Sequence, residues 1–196
     1  NSLGVFDNDL NLLTSYDKVK LVPFGEFLPF ENILNFFGIK TITNNYQSYS
    51  KGINREIINI KNREINLTFL PLICYEIIYS GKIFQDYNFD YIINISEDGW
   101  FGDSIGPYQH FSHTIFRAIE EGKNIIRSTN NGISAYIDTN GAIISKLEST
   151  KKGVIEINNY KKFNETLFSK FGNKIFFYII LIYVGLIFFI KRWENK

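Results

Sequence analysis

The chain has 196 residues, enough for one domain with its own core. A formal net charge of +1 excludes the strongly basic surface of a nucleic-acid binder. A single cysteine excludes an internal disulfide and leaves one free thiol, and a chain that opens on Asn1 and has no methionine is expected to be part of a longer product.

Near the N-terminus, SLGVFD (2–7) and LLTSYDKVKLV (12–22) read as two strands joined by an Asp-Asn-Asp turn. ENILNFFG (31–38) has the pattern of a short helix closed by Gly38. EINLTFLPLICY (64–75) becomes fully apolar, as a buried sheet strand does. YSGKIFQDYN (79–88) reads as a helix and FDYIINIS (89–96) as a second buried strand. Pro107 can open a helix that runs through YQHFSHTIFRAIEEG and stops at Gly122. NIIRST (124–129), GISAYID (132–138) and GAIISKLE (141–148) read as strands, the last two joined through the hairpin signal Asn140-Gly141. KGVIEI (152–157) closes the set as a further strand. This order predicts an α/β domain over residues 1–165, a mixed sheet with helices on its faces.

Residues 166–173 read as a linker, and the tail beyond them differs in kind. From Ile175 to Ile190, sixteen residues carry no charge. At ~1.5 Å rise each they span about 24 Å, short of the ~30 Å hydrocarbon core. Lys174 and Lys191 can snorkel outward to extend the span, and Trp193 stands where an interfacial aromatic belongs. The run has no polar face, which favours a transmembrane helix over 174–191 against a buried core helix. Lys191, Arg192 and Lys196 put the tail 192–196 on the cytoplasmic side, against Lys170 and Lys174 at the other end. The α/β domain is then expected outside the cytoplasmic membrane.

Cys74 ends an apolar strand. A thiol there sits at the carboxyl end of a sheet, with the backbone N–H groups that follow aimed at whatever it attacks. A nearby cation would favour the reactive thiolate. Tyr16, Lys18 and Lys20 share one strand face by the two-residue period, ahead of a turn at Pro23 and Gly25 that presents Glu26. Lysines on a strand are usually a solvated face, and a lone cysteine is more often core than nucleophile. His110 and His113, three apart on one helix, read as structural, although a Cys–His dyad stays open. A metal site would lack a third ligand at a suitable spacing.

The joint pattern goes further. YDKVKLVPFGEFLP (16–29), LICYE (72–76), NISEDGWFGDSIGPYQHF (94–111) and RAIEEGKNIIRSTNNGISAYID (117–138) together resemble the nitrilase superfamily, and within it the membrane-embedded apolipoprotein N-acyltransferase branch. The resemblance implies part of a nitrilase-like α-β-β-α sandwich followed by one C-terminal transmembrane helix. It implies a Glu-Lys-Cys triad in which Cys74 is the nucleophile and Lys18 the lysine, with Glu26 a further active-site glutamate. Lys20 has no counterpart. Tyr75 and Glu76 match residues flanking the nucleophile, and Trp100, Phe101 and Gly102 match a loop close to the pocket. The triad's general-base glutamate belongs upstream of Lys18, where the only acidic residues are Asp7, Asp9 and Asp17. The base is therefore expected to be missing from this chain, which would be inactive alone. The implied reaction moves an acyl chain from a phospholipid to Cys74, then to the N-terminal amine of a diacylglyceryl-cysteine lipoprotein, in a bacterial inner membrane with the catalytic domain on the periplasmic side. It needs no metal or organic cofactor. Two rivals remain: an amidase that passes the acyl group to water, and a non-catalytic membrane-tethered binding module.

Overall fold

The computed structural model describes residues 1–30, 33, 36, 48–61, 66–81, 83, 88–157 and 165–194. Strands β1 (Ser2–Phe6) and β2 (Leu12–Asp17) form an antiparallel hairpin. The Asp7 carboxylate closes its turn by accepting the N–H groups of Asp9 and Asn11 at 2.9 and 2.8 Å. A six-stranded sheet follows in chain order: β3 (Ile58–Lys61), β4 (Asn66–Ile73), β5 (Tyr91–Glu97), β6 (Asn124–Asn130), β7 (Ser134–Ile137) and β8 (Ile143–Leu147). The three central strands, β4 to β6, are parallel and the outer pairings antiparallel.

The alternation of strand side chains sorts this sheet's residues onto two faces. Leu70, Leu72, Ile92 and Ile125 pack with Phe111 and Ala118 of helix α1 (Gly106–Glu121). Phe69 and Ile73 pack on the other face with Leu3 and Tyr16 of the hairpin. The layers are thus helix, six-stranded sheet and two-stranded sheet, the mixed α/β arrangement expected. Each fully buried Leu or Ile in the first core contributes about 1.5–3 kcal/mol relative to exposure. Pro107 lies in the first turn of α1 and Gly122 ends it at φ 63, as the sequence predicts.

Several elements differ from expectation. β2 ends at Asp17 rather than at residue 22, because the N–H groups of Val19 and Lys20 turn to the Glu76 carboxylate, each at 3.0 Å, in place of a strand neighbour. Tyr16 and Lys18 therefore point inward while Lys20 does not follow them; its ammonium lies 5.8 Å from the centre of the Tyr79 ring. β4 ends at Ile73, and Cys74–Ile78 is a 3-10 helix. The expected strand 152–157 pairs with no strand among the described residues, and its Val154 is exposed. Strand β3, short and half polar, was not anticipated. The helix expected over 31–38 falls outside the described residues apart from 33 and 36, both helical; that over 79–88 is described at Tyr79–Gly81, Ile83 and Asn88, none of them helical.

Within 166–173, read above as a linker, lies helix α2 (Leu167–Phe171). Thr166 caps it by accepting the Ser169 N–H at 2.8 Å, and its hydroxyl donates to the Glu120 carbonyl, which ties α2 to the end of α1. Helix α3 (Lys174–Glu194) has a mean hydropathy of 2.2 over Lys174–Trp193 and is long and apolar enough to cross a membrane, with none of that window buried. Its 21 residues span about 31 Å at ~1.5 Å each.

Candidate active site

Cys74 follows the last residue of β4, at the carboxyl ends of the parallel strands. Its φ is 51, in the left-handed region that a residue with a Cβ occupies only at a cost of about 1–3 kcal/mol. That conformation turns the chain sharply from strand to 3-10 helix and leaves the cysteine half-buried between two cavities.

One cavity, of about 510 Å³, has a mostly apolar wall that includes Val22, Pro23, Ile78, Trp100 and Phe101. Tyr75 lines it and stacks edge-on against Tyr79 at 5.4 Å. The other, of about 550 Å³, is more polar, with Lys18, Ser96, Thr129 and Asn130 in its wall beside Ile73 and Ile95. Cys74, Glu26, Glu97 and Trp100 border both. Trp100 is 57% exposed at their rim. Gly102 ends the short 3-10 helix Asp98–Phe101 at φ 57 and ψ −152, a conformation open only to glycine. The loop that carries Trp100 and Phe101 therefore depends on it.

Lys18 is 1% exposed, and its ammonium meets Glu26 Oε1 at 2.8 Å. The tight turn Val22–Phe27, with Phe24 at φ 63, aims Glu26 inward, where its other oxygen accepts the Val22 N–H at 2.9 Å. Glu76, fully buried, gathers four donor groups. It accepts the Tyr16 hydroxyl at 2.9 and 3.0 Å, the Val19 and Lys20 N–H groups, and the Ile73 N–H at 2.8 Å. One carboxylate thus fastens the Lys18 segment to the Cys74 turn. Burial, then the charge of Glu76, push the Tyr16 phenol well above its usual range.

The structure therefore gathers Cys74, Lys18, Glu26, Tyr75, Glu76, Trp100 and Phe101 around one site, with Gly102 behind the loop. The acidic residues ahead of Lys18 stand apart from it: Asp7 holds the hairpin turn and Asp17 accepts the Ser2 hydroxyl. His110 does not form a dyad through the thiol. Its Nε2 lies 3.3 Å from the Cys74 carbonyl, and its Nδ1 lies 2.9 Å from Asp98 Oδ1. Arg127 donates to Asp98 Oδ2 at 2.8 Å and to Asn94 Oδ1, and Asn94 donates to the Leu72 carbonyl at 3.0 Å. Burial raises the Asp98 carboxyl, but the hydrogen bond with His110 and the charge of Arg127 outweigh it and hold it low. Sequence reasoning missed this buried network. Its signal was Arg127, a cation in the middle of the apolar run NIIRST, which cannot be buried without a partner. His113, one turn along α1, faces the apolar cavity; burial and then Arg117 lower its pKa, which keeps it neutral near pH 7.

Residues 1–158 match the family described as carbon-nitrogen hydrolase. The chain is 36% identical over 193 residues to an apolipoprotein N-acyltransferase of Rhizobium rhizogenes, covering 98% of this chain and 36% of that protein. It is 41% identical over 157 residues to one of Agrobacterium fabrum, covering 80% and 29%. It thus spans roughly a third of the length of these curated relatives. An amidase from Nesterenkonia sp. has a similar fold, with a TM-score of 0.51 at 14% identity over 76% of this chain and 51% of that one. With a family match over residues 1–158 of 196 and the same layered fold, the chain belongs to the carbon-nitrogen hydrolase family.

Proposed function

We propose that this chain carries the nucleophilic half of an N-acyltransferase that matures lipoproteins. One observation supports this most: Cys74 is held at a strained turn between an apolar cavity and a more polar one, with the Lys18–Glu26 pair lining the latter. An acyl chain fits the apolar side, and a polar leaving group or incoming amine fits the other. The similarity to apolipoprotein N-acyltransferases and the apolar helix α3 support lipid substrates.

In the first step the Cys74 thiolate attacks the ester carbonyl of a phospholipid. The tetrahedral intermediate collapses to a thioester, and the departing alkoxide takes a proton to leave as lysophospholipid. In the second, the α-amine of a diacylglyceryl-cysteine lipoprotein attacks the thioester, loses a proton, and releases Cys74 as thiolate. Lys18 and the backbone N–H of Tyr75 stabilise the oxyanion in both steps, each donor worth about 3 kcal/mol. Glu26 holds Lys18 in place. The proton goes to a glutamate that the family pattern puts ahead of Lys18; Asp7, Asp9 and Asp17 do not fill that role. Tyr75, Trp100 and Phe101 line the acyl site. With the Lys191 and Arg192 end of α3 in the cytoplasm, the site lies on the outer side of a bacterial inner membrane, where neither lipid need be extracted into water.

The test uses the whole membrane protein in detergent with phospholipid and no acceptor. Intact mass spectrometry of the peptide bearing Cys74 should show one acyl chain, released by neutral hydroxylamine and absent in Cys74→Ala. Phospholipid turned over to free fatty acid with no adduct would replace this reading with the hydrolase. Neither adduct nor turnover would leave a non-catalytic module.

A further inference from the structure

We propose that His110 is a positioning residue for Cys74, oriented for that task by Asp98 and Arg127; the inference rests on reading Cys74 as the acylated thiol. The Cys74 backbone stands in an unfavourable conformation, and such strain persists only where the surroundings over-determine it. His110 supplies that restraint. Its Nε2 lies 3.3 Å from the Cys74 carbonyl, an acceptor that a hydrogen on Nε2 bonds directly.

The ring is itself locked. Nδ1 lies 2.9 Å from Asp98 Oδ1 and 3.2 Å from Arg127 Nη2. Ser96 donates to the same Asp98 oxygen at 2.7 Å, and Arg127 donates to the other at 2.8 Å. Through Asn94 the network also takes the Leu72 carbonyl, so it grips the end of β4 at two points, Leu72 and Cys74. Leu72, Asn94 and Arg127 lie side by side across three parallel strands, which makes the grip rigid.

Asp98, His110 and Arg127 are all buried. A buried charged cluster adds little stability over apolar residues of the same volume, so stability alone does not account for it. The network also reaches the cavity wall. Asp98 begins the turn that carries Trp100 and Phe101, and the Phe101 ring lies 5.5 Å from that of His110. One buried unit thereby sets the thiol and the acyl-side wall in register.

The test compares His110→Leu, His110→Gln and His110→Asn in the whole detergent-solubilised protein. It measures single-turnover acylation of Cys74 from dipalmitoyl phosphatidylglycerol, Cys74 alkylation by iodoacetamide across pH, and thermal melting. His110→Leu should slow acylation about 100-fold, the scale of a misplacement near 1 Å, and change KM for the lipid by less than about twofold. Gln, whose amide can reach the place of Nε2, should recover to within about tenfold of wild type, whereas Asn, which is too short, should not. Acylation by all three variants within about threefold of wild type would overturn the proposal, as would Gln and Asn falling together in step with melting temperature. Where His110→Leu does not fold, the Gln–Asn contrast decides alone. Wild-type Cys74 that takes up no acyl group refutes the acyltransferase reading instead; the alkylation order Gln above Asn then still decides the positioning role.

Discussion

Glu76→Gln is the sharpest test of how the site is held together. The substitution keeps shape and volume and removes only the charge and one acceptor. The amide carbonyl can take the place of Oε1 and keep the Tyr16 hydroxyl and the Val19 and Lys20 N–H groups. The amide nitrogen then faces the Ile73 N–H, a donor that loses its 2.8 Å partner and meets another donor. Losing one charge-assisted bond costs about 2 kcal/mol, and weakening the three others to neutral strength costs about 2 kcal/mol more in total. A neutral amide is easier to bury than a carboxylate, which offsets part of this and leaves roughly 2–3 kcal/mol. For a chain of this size that lowers Tm by about 5–10 °C. Differential scanning fluorimetry of the detergent-solubilised protein gives the stability change, and iodoacetamide labelling of Cys74 reports on the turn itself. Because Glu76 joins the Lys18 segment to the Cys74 turn, labelling should slow as well. A Tm within about 2 °C of wild type, with labelling unchanged, would refute the claim that this carboxylate is the fastening between the two segments.

The Asp98 carboxyl is held below its ordinary 3.8 in the fold, with burial opposed by His110 and Arg127. Its stabilisation is therefore fully present above the unfolded value and lost as pH falls through the folded one, so Tm should drop on acidification below about pH 5, and Asp98→Asn should flatten that acid limb in a melting series. A Cβ added at Gly132 would lie 2.3 Å from Asp98 Oδ2, so Gly132→Ala should displace the buried carboxylate, cost about 1–3 kcal/mol by chemical denaturation and slow Cys74 labelling. Lys18→Met removes the cation beside Glu26 and should lower single-turnover acylation of Cys74 by at least about 100-fold. Leu72→Ala, in the core between the sheet and α1, should cost about 2–5 kcal/mol, read by the same denaturation.

The elements legible in the sequence were those with local causes. Pro107 and Gly122 bracket α1 because one has φ preset for a first turn and the other accepts the left-handed stop. The apolar runs that became β4 and β5 needed no partner to be recognised as buried strands, and Ile175–Ile190 declared its apolar character by composition alone. The motifs around Lys18, Glu26, Cys74 and Trp100 were also legible, since they are continuous stretches.

Tertiary structure decided the rest. A period-two pattern cannot show that β2 stops at Asp17, because what stops it is a carboxylate at Glu76, 57 residues from the Val19 N–H it captures. KGVIEI alternates like a strand, yet no strand among the described residues pairs with it, and alternation says nothing about partners. The buried network under Cys74 joins Leu72, Asn94, His110 and Arg127 through the register of three parallel strands and the placement of α1. The residue types, the helix limits and the apolar strands are written in the chain, because dihedral preference and hydrophobic periodicity act over a few residues. Which carboxylate meets which N–H, and what holds Cys74 in its strained turn, follow only from sheet register, because those partners are brought together by packing rather than by spacing.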